Sequence, residues 1–298
     1  MEILNFEVAL ERLGRNEPWL LQLENTLERV AERWSLERIV AFENLSFNFV
    51  AQALRLGGSS VVLKVGDPNA LESEMNALLH YGGNGCVRLL ESDRKRGAFL
   101  LEHIHPGTML SSVQDEDEAV RIACAVMEKI HKPPPEQHSF PTLERHLSAL
   151  LEYPRTQNAA DPIPRDLLER ARTLALELLA TQAAPMVLHG DLHHFNILSS
   201  ARSGWTAIDP KGLVGERAFE VGPFFYNPFP DIFEYPDLER VLLRRLDVFT
   251  ETLQMDRERL RQWAFVQVML SACWGLEVGA LGWLEGPLRV AGALSRLR

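Results

Sequence analysis

The chain has 298 residues, a mass of 33.7 kDa and a hydrophobic content of 46%, which fits a globular protein long enough for two lobes that share a cleft. Its net charge of −10 and its pI near 5.5 argue against nucleic acid or an anionic membrane as a partner, because both require a basic face. No stretch approaches the roughly 20 apolar residues of a membrane span and no signal-peptide pattern is present, so we expect a cytoplasmic protein.

The first hundred residues are predicted to form a small antiparallel sheet with one inserted helix. Apolar residues that recur every three or four positions indicate a first helix over 17–34. Strand-like segments follow within 39–65, with a tight turn near 44–48, and again at 87–91 and 97–102. Helical spacing over 70–81 places the inserted helix between these groups of strands.

Lys64 lies inside the β-branched, apolar run 60–65, although the chain contains only five lysines. A compact ammonium group on such a strand suits the phosphates of a nucleotide when a carboxylate from the following helix holds it. Glu72 and Glu74 are the candidate partners. The alternative is an edge-strand lysine that points to solvent and guards against aggregation.

After Pro106 and Gly107 the chain is predicted to be mainly helical. The predicted helices are 115–131, 142–153, 166–181, 238–253 and 256–279. The aromatic, proline-rich segment 222–230 is expected to be a buried loop that caps the core; in the alternative interpretation it walls a ligand pocket. Cys86, Cys124 and Cys273 are far apart and odd in number, which predicts buried, reduced thiols.

The strongest functional signal is the segment 189–198, His-Gly-Asp-Leu-His-His-Phe-Asn-Ile-Leu, followed by Asp209. Asp191 comes directly after a turn-forming glycine, Asn196 lies five residues further on, and Asp209 ends a strand-like apolar run. Such an Asp can accept the proton of an attacking hydroxyl, and Asn and Asp oxygens suit a hard cation such as Mg²⁺. In the alternative interpretation, Asp191 and Asn196 bond only to backbone groups of a turn.

Three histidines in the same segment, His189, His193 and His194, raise the question of a zinc site. Gly190 and the strand-like flanks argue against the continuous helix that such a site would use. We expect His193 and His194 to pack or to form hydrogen bonds within the loop.

Residues 189–198 and 207–217 together resemble the aminoglycoside and hydroxyurea resistance kinases of the streptomycin 6-phosphotransferase type, within the wider aminoglycoside-phosphotransferase and protein-kinase-like superfamily. Similarity at 27–34 and 257–264 extends the resemblance over nearly the whole chain.

The resemblance implies an α+β, bilobal protein-kinase-like fold. The N-lobe, 1–102, would be a small antiparallel sheet that binds the nucleotide. The mainly helical C-lobe, 103–298, would contain the catalytic loop, the metal site and the acceptor site. In the C-lobe, Asp191 would be the catalytic base, and Asn196 and Asp209 the Mg²⁺ ligands.

In the N-lobe the resemblance implies that Lys64 and Glu74 position the phosphates of ATP, since Glu74 opens a Glu-x-x-Ala-Leu pattern found in related small-molecule kinases. The Glu102 carbonyl and the Ile104 N–H would face adenine. The loop that covers the phosphates contains no glycine, so backbone N–H groups of Ser46, Phe47 and Asn48 would serve instead.

Two departures from the wider superfamily stand out. Asp209 is followed by Pro210 and Lys211 in place of the Phe-Gly of protein kinases, which argues against a conformational switch of the Asp-Phe-Gly type. Glu220 stands where many relatives have Asp, which leaves open whether this carboxylate has a structural role.

The leading hypothesis is a kinase that transfers the γ-phosphate of ATP to a hydroxyl of a streptomycin-like aminoglycoside. The acidic balance suits a cationic acceptor, and candidate contacts are Glu220, Asp231, Glu234, Glu277 and Glu285. Alternatives are a kinase for hydroxyurea or for a housekeeping metabolite such as an amino alcohol or sugar, and a non-catalytic nucleotide-binding pseudokinase. The pseudokinase is disfavoured because the chain retains all four of the expected catalytic and nucleotide-binding residues: Lys64, Asp191, Asn196 and Asp209.

Overall fold

The computed structural model describes residues 2–13, 18–43, 45, 47–154, 162–277, 279, 282 and 284–297. The chain divides into two compact units, Met1–Pro106 and Gly107–Arg298. Among the described residues, no helix is both long enough and apolar enough to cross a membrane.

The N-terminal unit contains a six-stranded sheet. Its strands are β1 (Glu2–Leu4), β2 (Leu36–Ala41), β3 (Phe49–Arg55), β4 (Ser60–Val65), β5 (Leu89–Asp93) and β6 (Ala98–Glu102). The order is β1-β2-β3-β4-β6-β5, and every neighbouring pair is antiparallel except β1 with β2. The predicted antiparallel sheet is confirmed for five strands, while β1 is a parallel addition too short to show a period of two.

Among the described residues, three α-helices accompany this sheet: α1 (Phe6–Leu13), α2 (Leu23–Trp34) and α3 (Glu72–Tyr81). The predicted first helix begins later than expected, because a short 3-10 turn occupies Leu20–Gln22. Leu27 and Val30 of α2 share a buried core with Phe49 and Leu63 of the sheet. The apolar spacing of α2 therefore follows from burial of one face.

The described part of the C-terminal unit forms five short strands in two small sheets. They are β7 (Pro106–Met109), β8 (Met186–Leu188), β9 (Ile197–Ser200), β10 (Gly204–Ala207) and β11 (Leu213–Gly215). One sheet has the order β10-β9-β7, and β11 pairs with β8 in the other. These strands position the loops described below.

Most of this unit is helical, as predicted. The helices are α4 (Glu116–Ile130), α5 (Leu143–His146), α6 (Ser148–Leu151), α7 (Arg165–Ala180), α8 (Leu238–Leu253), α9 (Arg257–Glu277) and α10 (Glu285–Arg296). The single helix predicted over 142–153 is wrong, because Leu147 leaves helical geometry, with φ −83° and ψ 2°, and separates two short helices. The 3-10 helix Arg217–Tyr226 replaces the first part of the predicted 222–230 loop.

The side chains of the 3-10 helix account for its burial and for its geometry. Phe224 and Phe225 are fully buried within the 3-10 helix, so the expected burial of this segment is confirmed. Pro223 lies in its interior and lacks an N–H group, which disfavours a regular α-helix there.

Candidate active site

Two pairs of strands bring two loops side by side. Loop 189–196 connects β8 to β9, and loop 208–212 connects β10 to β11; β8 pairs with β11 and β9 with β10. The Ile208 N–H donates to the Asn196 carbonyl at 2.9 Å, and the Lys211 N–H donates to the His189 carbonyl at 2.7 Å. Hydrogen bonds therefore fix the two loops to each other near both ends.

Asp191 presents a carboxylate that solvent can reach, with 27% of its side chain exposed. His193 Nε2 lies 3.6 Å from one carboxylate oxygen and Lys211 Nζ lies 3.6 Å from the other. Both distances exceed the usual hydrogen-bond length. The carboxylate is thus close to two nitrogen groups and remains able to accept a proton from a ligand.

Asn196 is oriented by the backbone of the same loop. Its Nδ2 donates to the Asp191 carbonyl at 2.9 Å and lies 3.2 Å from His193 Nε2. With the amide nitrogen directed at protein atoms, the amide oxygen is available as a ligand. Burial lowers the pKa of His193, which favours its neutral form near pH 7.

Asp209 occupies a left-handed backbone conformation, with φ +61°. Asp adopts this region more readily than most residues. Its side chain is 38% exposed, and Lys211 Nζ lies 3.6 Å from its carboxylate. One carboxylate and one amide oxygen, from Asp209 and Asn196, are hard donors that suit Mg²⁺, which takes one or two protein ligands together with substrate phosphates.

His189 joins the two loops through its side chain. Its Nε2–H donates to the Ile208 carbonyl at 2.8 Å, and its Nδ1 accepts the Asp191 N–H at 3.2 Å. Complete burial lowers the pKa of His189, so the imidazole stays neutral with its proton on Nε2. Gly190, at φ +80°, has no room for a side chain, because a Cβ would lie 2.7 Å from Leu213.

Glu220 supports this turn, which answers the open question of its structural role and corrects its selection as a candidate acceptor contact. Its fully buried carboxylate accepts the N–H groups of His189 at 2.7 Å and Gly190 at 2.9 Å. His131 Nε2 lies 3.4 Å away, and Arg217 Nε donates to His131 Nδ1 at 3.3 Å. The residue therefore has a structural role and is too deeply buried to contact an acceptor.

Two effects oppose each other in the titration of Glu220. Burial raises the pKa of its carboxyl group, while the hydrogen bond and charge of His131, together with His189 and the Gly190 N–H, lower it. The net pKa lies below the usual value, so the carboxylate is ionised and its bonds to the loop are charge-assisted.

His194 is a packing residue, as expected. Its buried ring lies against Phe224 with the ring centroids 3.8 Å apart, and the Arg245 guanidinium lies 5.4 Å from the centre of the same phenyl ring. The four remaining acidic candidates for acceptor contacts are exposed: Asp231, Glu234, Glu277 and Glu285. Their role as contacts stays a prediction.

In the N-terminal unit, Lys64 Nζ lies 2.8 and 2.7 Å from the two carboxylate oxygens of Glu74. The structure pairs Lys64 with Glu74 and not with Glu72. Because β4 lies between β3 and β6, the alternative of an edge-strand lysine is wrong. Both residues are buried, at 4% and 7% exposure, so the pair is held rigidly; its role in phosphate positioning stays a prediction.

The other residues predicted to bind the nucleotide are less informative. Ser46 lies outside the described residues. Asn48 directly precedes β3 and is half-buried. Glu102 ends β6 and its carboxylate accepts the Arg88 N–H at 3.0 Å, while Ile104 is buried. Their nucleotide contacts stay predictions.

The fold is that of protein-kinase-like small-molecule phosphotransferases. An amicoumacin kinase, solved with AMP-PNP, Ca²⁺ and its antibiotic, superimposes with a TM-score of 0.64 at 14% identity, over 92% of this chain and 94% of that chain. The choline kinase LicA from Streptococcus pneumoniae gives 0.63 at 12% identity, over 93% and 100%. The predicted fold class is confirmed.

Sequence comparison defines the family. The model of the aminoglycoside/hydroxyurea antibiotic resistance kinases matches residues 33–279, and the chain belongs to this family. Streptomycin 6-kinase of Streptomyces griseus is 30% identical over 280 residues, 93% of this chain and 91% of that protein. Hydroxyurea phosphotransferase of Kitasatospora aureofaciens is 31% identical over 267 residues, 88% and 76%. The predicted family and the predicted enzyme class, a phosphotransferase with an alcohol acceptor, are confirmed.

Proposed function

We propose that this protein transfers the γ-phosphate of ATP to a hydroxyl of a streptomycin-like aminoglycoside in the cytoplasm. The proposal is carried by the two hydrogen-bonded loops that present Asp191, Asn196 and Asp209 together. The 30% identity with a streptomycin 6-kinase over 93% of the chain supports the acceptor class. The net charge of −10 is favourable for a cationic acceptor.

In the proposed reaction, the acceptor oxygen forms a bond to the γ-phosphorus while the bond from that phosphorus to the β,γ-bridging oxygen breaks. The electron pair of the broken bond leaves with ADP. Asp191 takes the hydroxyl proton on a carboxylate oxygen and later releases it to solvent. Asn196 and Asp209 would hold Mg²⁺, which when bound neutralises phosphate charge.

The remaining residues have supporting roles in this proposal. Lys64, held by Glu74, positions the phosphates of ATP, and the backbone around Ser46 and Asn48 covers them. Backbone groups of Glu102 and Ile104 bind adenine. Residues 1–102 thus serve nucleotide binding, and residues 103–298 provide catalysis and the acceptor site.

Hydroxyurea is a second candidate acceptor, because a hydroxyurea phosphotransferase is also 31% identical over 88% of this chain. The two acceptors differ in charge: streptomycin carries guanidinium groups, which carboxylates bind through charge-assisted hydrogen bonds, whereas hydroxyurea is uncharged. Exposed carboxylates would therefore contribute to the binding of streptomycin alone.

A test is to incubate the purified protein with Mg·ATP and one of four acceptors: streptomycin, a second aminoglycoside, hydroxyurea or an amino alcohol. We expect acceptor-dependent ADP release with streptomycin and a single added phosphate on the drug by mass spectrometry. Asp191→Asn protein, treated identically, controls for contaminating kinases. Turnover of hydroxyurea or the amino alcohol without phosphorylated streptomycin would replace the acceptor, and ADP release with none of them would contradict the proposal.

A further inference from the structure

Lys211 occupies a position between two carboxylates of the candidate site that the mechanism above leaves unused. Its Nζ lies 3.6 Å from an oxygen of Asp191 and 3.6 Å from an oxygen of Asp209. Its side chain is 46% exposed, so a ligand can reach the ammonium group.

The backbone fixes where this side chain starts. The Lys211 N–H donates to the His189 carbonyl at 2.7 Å, and the preceding Pro210 restricts the chain between Asp209 and Lys211. The Lys211 Cβ passes close to Gly190, since a Cβ on that glycine would lie 3.3 Å from it. The lysine stem is thus directed across the turn that presents Asp191.

The two ion pairs that Lys211 forms with Asp191 and Asp209 contribute little to stability, because solvent screens charges that are this exposed. Separations of 3.6 Å also exceed the roughly 2.7–3.2 Å of a direct N–H···O hydrogen bond.

Charge explains the placement better. A phosphoryl group that is transferred to a hydroxyl bonded to Asp191 must itself lie within a few ångströms of that carboxylate. The two negative groups repel each other, and the repulsion opposes the reaction. A cation beside the same carboxylate offsets this repulsion, and Lys or Arg groups placed on a transferring phosphoryl group commonly have this effect.

We propose that Lys211 is a further catalytic residue, whose ammonium group contacts a non-bridging oxygen of the γ-phosphoryl group during transfer. This inference rests on the proposed function. Lysine suits the role because its ammonium is a compact point charge on a flexible stem, which can leave its position between the carboxylates and follow the phosphoryl group.

The test compares Lys211→Met with wild-type protein in the binding of two nucleotides, Mg·AMP-PNP and Mg·ADP, by calorimetry. Only AMP-PNP carries a γ-phosphoryl group. We expect the variant to bind AMP-PNP about 10-fold more weakly and ADP within about 2-fold of wild type, and to lose about 10²–10³-fold in kcat with the best acceptor. Lys211→Arg, which keeps the charge, should recover part of both losses.

Lys129→Met is the matched control, because Lys129 lies in α4 and its Nζ donates to the Ser203 carbonyl, away from both loops. It should leave both affinities and kcat unchanged. Lys211→Gln repeats the measurement with a polar side chain at the same half-exposed position. The assignment of Lys211 would be overturned if the variants bound ADP and AMP-PNP equally more weakly than wild type. It would also be overturned if Lys211→Met and Lys211→Gln had the kcat of wild type.

The wild-type protein separates this result from a failure of the proposed function. Suppose that wild type binds AMP-PNP more tightly than ADP and turns over an acceptor. If the Lys211 variants then have the same affinities and the same kcat as wild type, only the lysine assignment fails. If wild type binds neither nucleotide and releases no ADP, the proposed function fails, and the inference about Lys211 falls with it.

Discussion

The two units each place a lysine beside carboxylates, but in different ways. In the N-terminal unit, Lys64 is buried, and its Nζ lies 2.8 and 2.7 Å from the two carboxylate oxygens of Glu74. In the C-terminal unit, Lys211 is half exposed, and its Nζ lies 3.6 Å from a carboxylate oxygen of Asp191 and of Asp209. The first lysine satisfies its charge within the protein. The second lies farther from its two carboxylate neighbours and is half exposed. The difference indicates one ammonium group fixed by folding and another that a ligand can recruit.

The energetics of the two clusters should differ accordingly. Breaking a buried ion pair leaves an uncompensated charge in a low-dielectric interior and destabilises a protein by about 3–5 kcal/mol. Removing one member of an exposed cluster changes stability by about 1 kcal/mol or less. The N-terminal pair should therefore affect folding, and the C-terminal cluster should affect chemistry.

The largest effect on chemistry is expected for Asp191→Asn. The amide cannot accept the hydroxyl proton, so turnover should fall by about 10²–10⁴-fold while ATP binding survives. Steady-state ADP release and calorimetry measure the two quantities. Asp237→Asn is a matched control, because Asp237 is an exposed residue whose partner is Arg240. Near-normal turnover in Asp191→Asn protein would remove the catalytic assignment of the loop.

The next effect separates the two lysines directly. Lys64→Met should lower the free energy of unfolding by about 3–5 kcal/mol, because it removes the ammonium group that compensates the buried Glu74 carboxylate. Lys211→Met should lower it by about 1 kcal/mol or less. Urea unfolding followed by circular dichroism measures both.

The double variant Lys64→Met/Glu74→Leu sharpens this comparison. Replacing both charges with apolar groups removes the buried carboxylate that has lost its ammonium partner, so most of the lost stability should return. The KM for ATP should be raised in both the single and the double variant, because neither has the ammonium group proposed to position the phosphates. If Lys64→Met and Lys211→Met were equally stable, the proposed contrast between a fixed and a recruitable lysine would be wrong.

A smaller effect is expected for Glu220→Gln, which removes the charge that holds the turn before Asp191. Hydrogen bonds to charged groups contribute about 1.5–3 kcal/mol each, so we expect a loss of about 2 kcal/mol in stability and a lower kcat. Glu220→Asp keeps the charge and should recover part of the loss. Glu239→Gln, at an exposed pair with Arg296, is the control. Unchanged stability in Glu220→Gln would contradict the support role.

The smallest effect concerns acid stability. Burial lowers the pKa of His146 to about 4, although Asp191 acts in the opposite direction. Below pH 6.5, His146 therefore binds a proton in the unfolded chain but stays neutral in the folded state. The free energy of unfolding falls as the pH decreases toward 4. His146→Phe should reduce this slope by at most one proton, about 1.4 kcal/mol per pH unit.

Unfolding in urea at several pH values between 7 and 4 measures this slope. His138→Phe, at an exposed histidine, should leave it unchanged. Because His189, His193 and His194 also have lowered pKa values, His146→Phe protein should still lose stability in acid. A slope identical to that of wild type would show that His146 titrates alike in the folded and unfolded states.

Sequence patterns predicted the parts of the fold that depend on long periodic runs. Helix α8 has the predicted bounds, Leu238–Leu253, because its apolar spacing continues over four turns. Strand β1 and the helices α1 and α10 are not among the predicted elements. Strand β1 has three residues, and at that length a strand has no readable period. The break at Leu147 depends on local backbone geometry, which apolar spacing does not report.

The candidate site shows the same division. Asp191, Asn196 and Asp209 were predicted to act together, and the hydrogen bonds between their loops bring them to neighbouring positions. The support from Glu220 was not predictable from spacing. Its carboxylate accepts main-chain N–H groups, which almost every residue has, so the contact leaves no pattern of side chains in the sequence. The sequence marked Glu220 only as a position where many relatives have Asp and as one of several acidic candidates for acceptor contacts.

The pairing of β9 with β10 has a consequence for how chain length can vary during evolution. Ala207 lies opposite Ile197, and the Ile208 N–H continues the pairing to Asn196, so the separation of Asn196 and Asp209 in space is set by strand register. Residues inserted into the turn at 201–203 would lengthen only its tip. The number of residues between Asp191 and Asn196 cannot vary in this way, because the Asn196 side-chain amide donates a hydrogen bond to the Asp191 carbonyl. A search for distant relatives should therefore hold this second interval constant and let the first one vary.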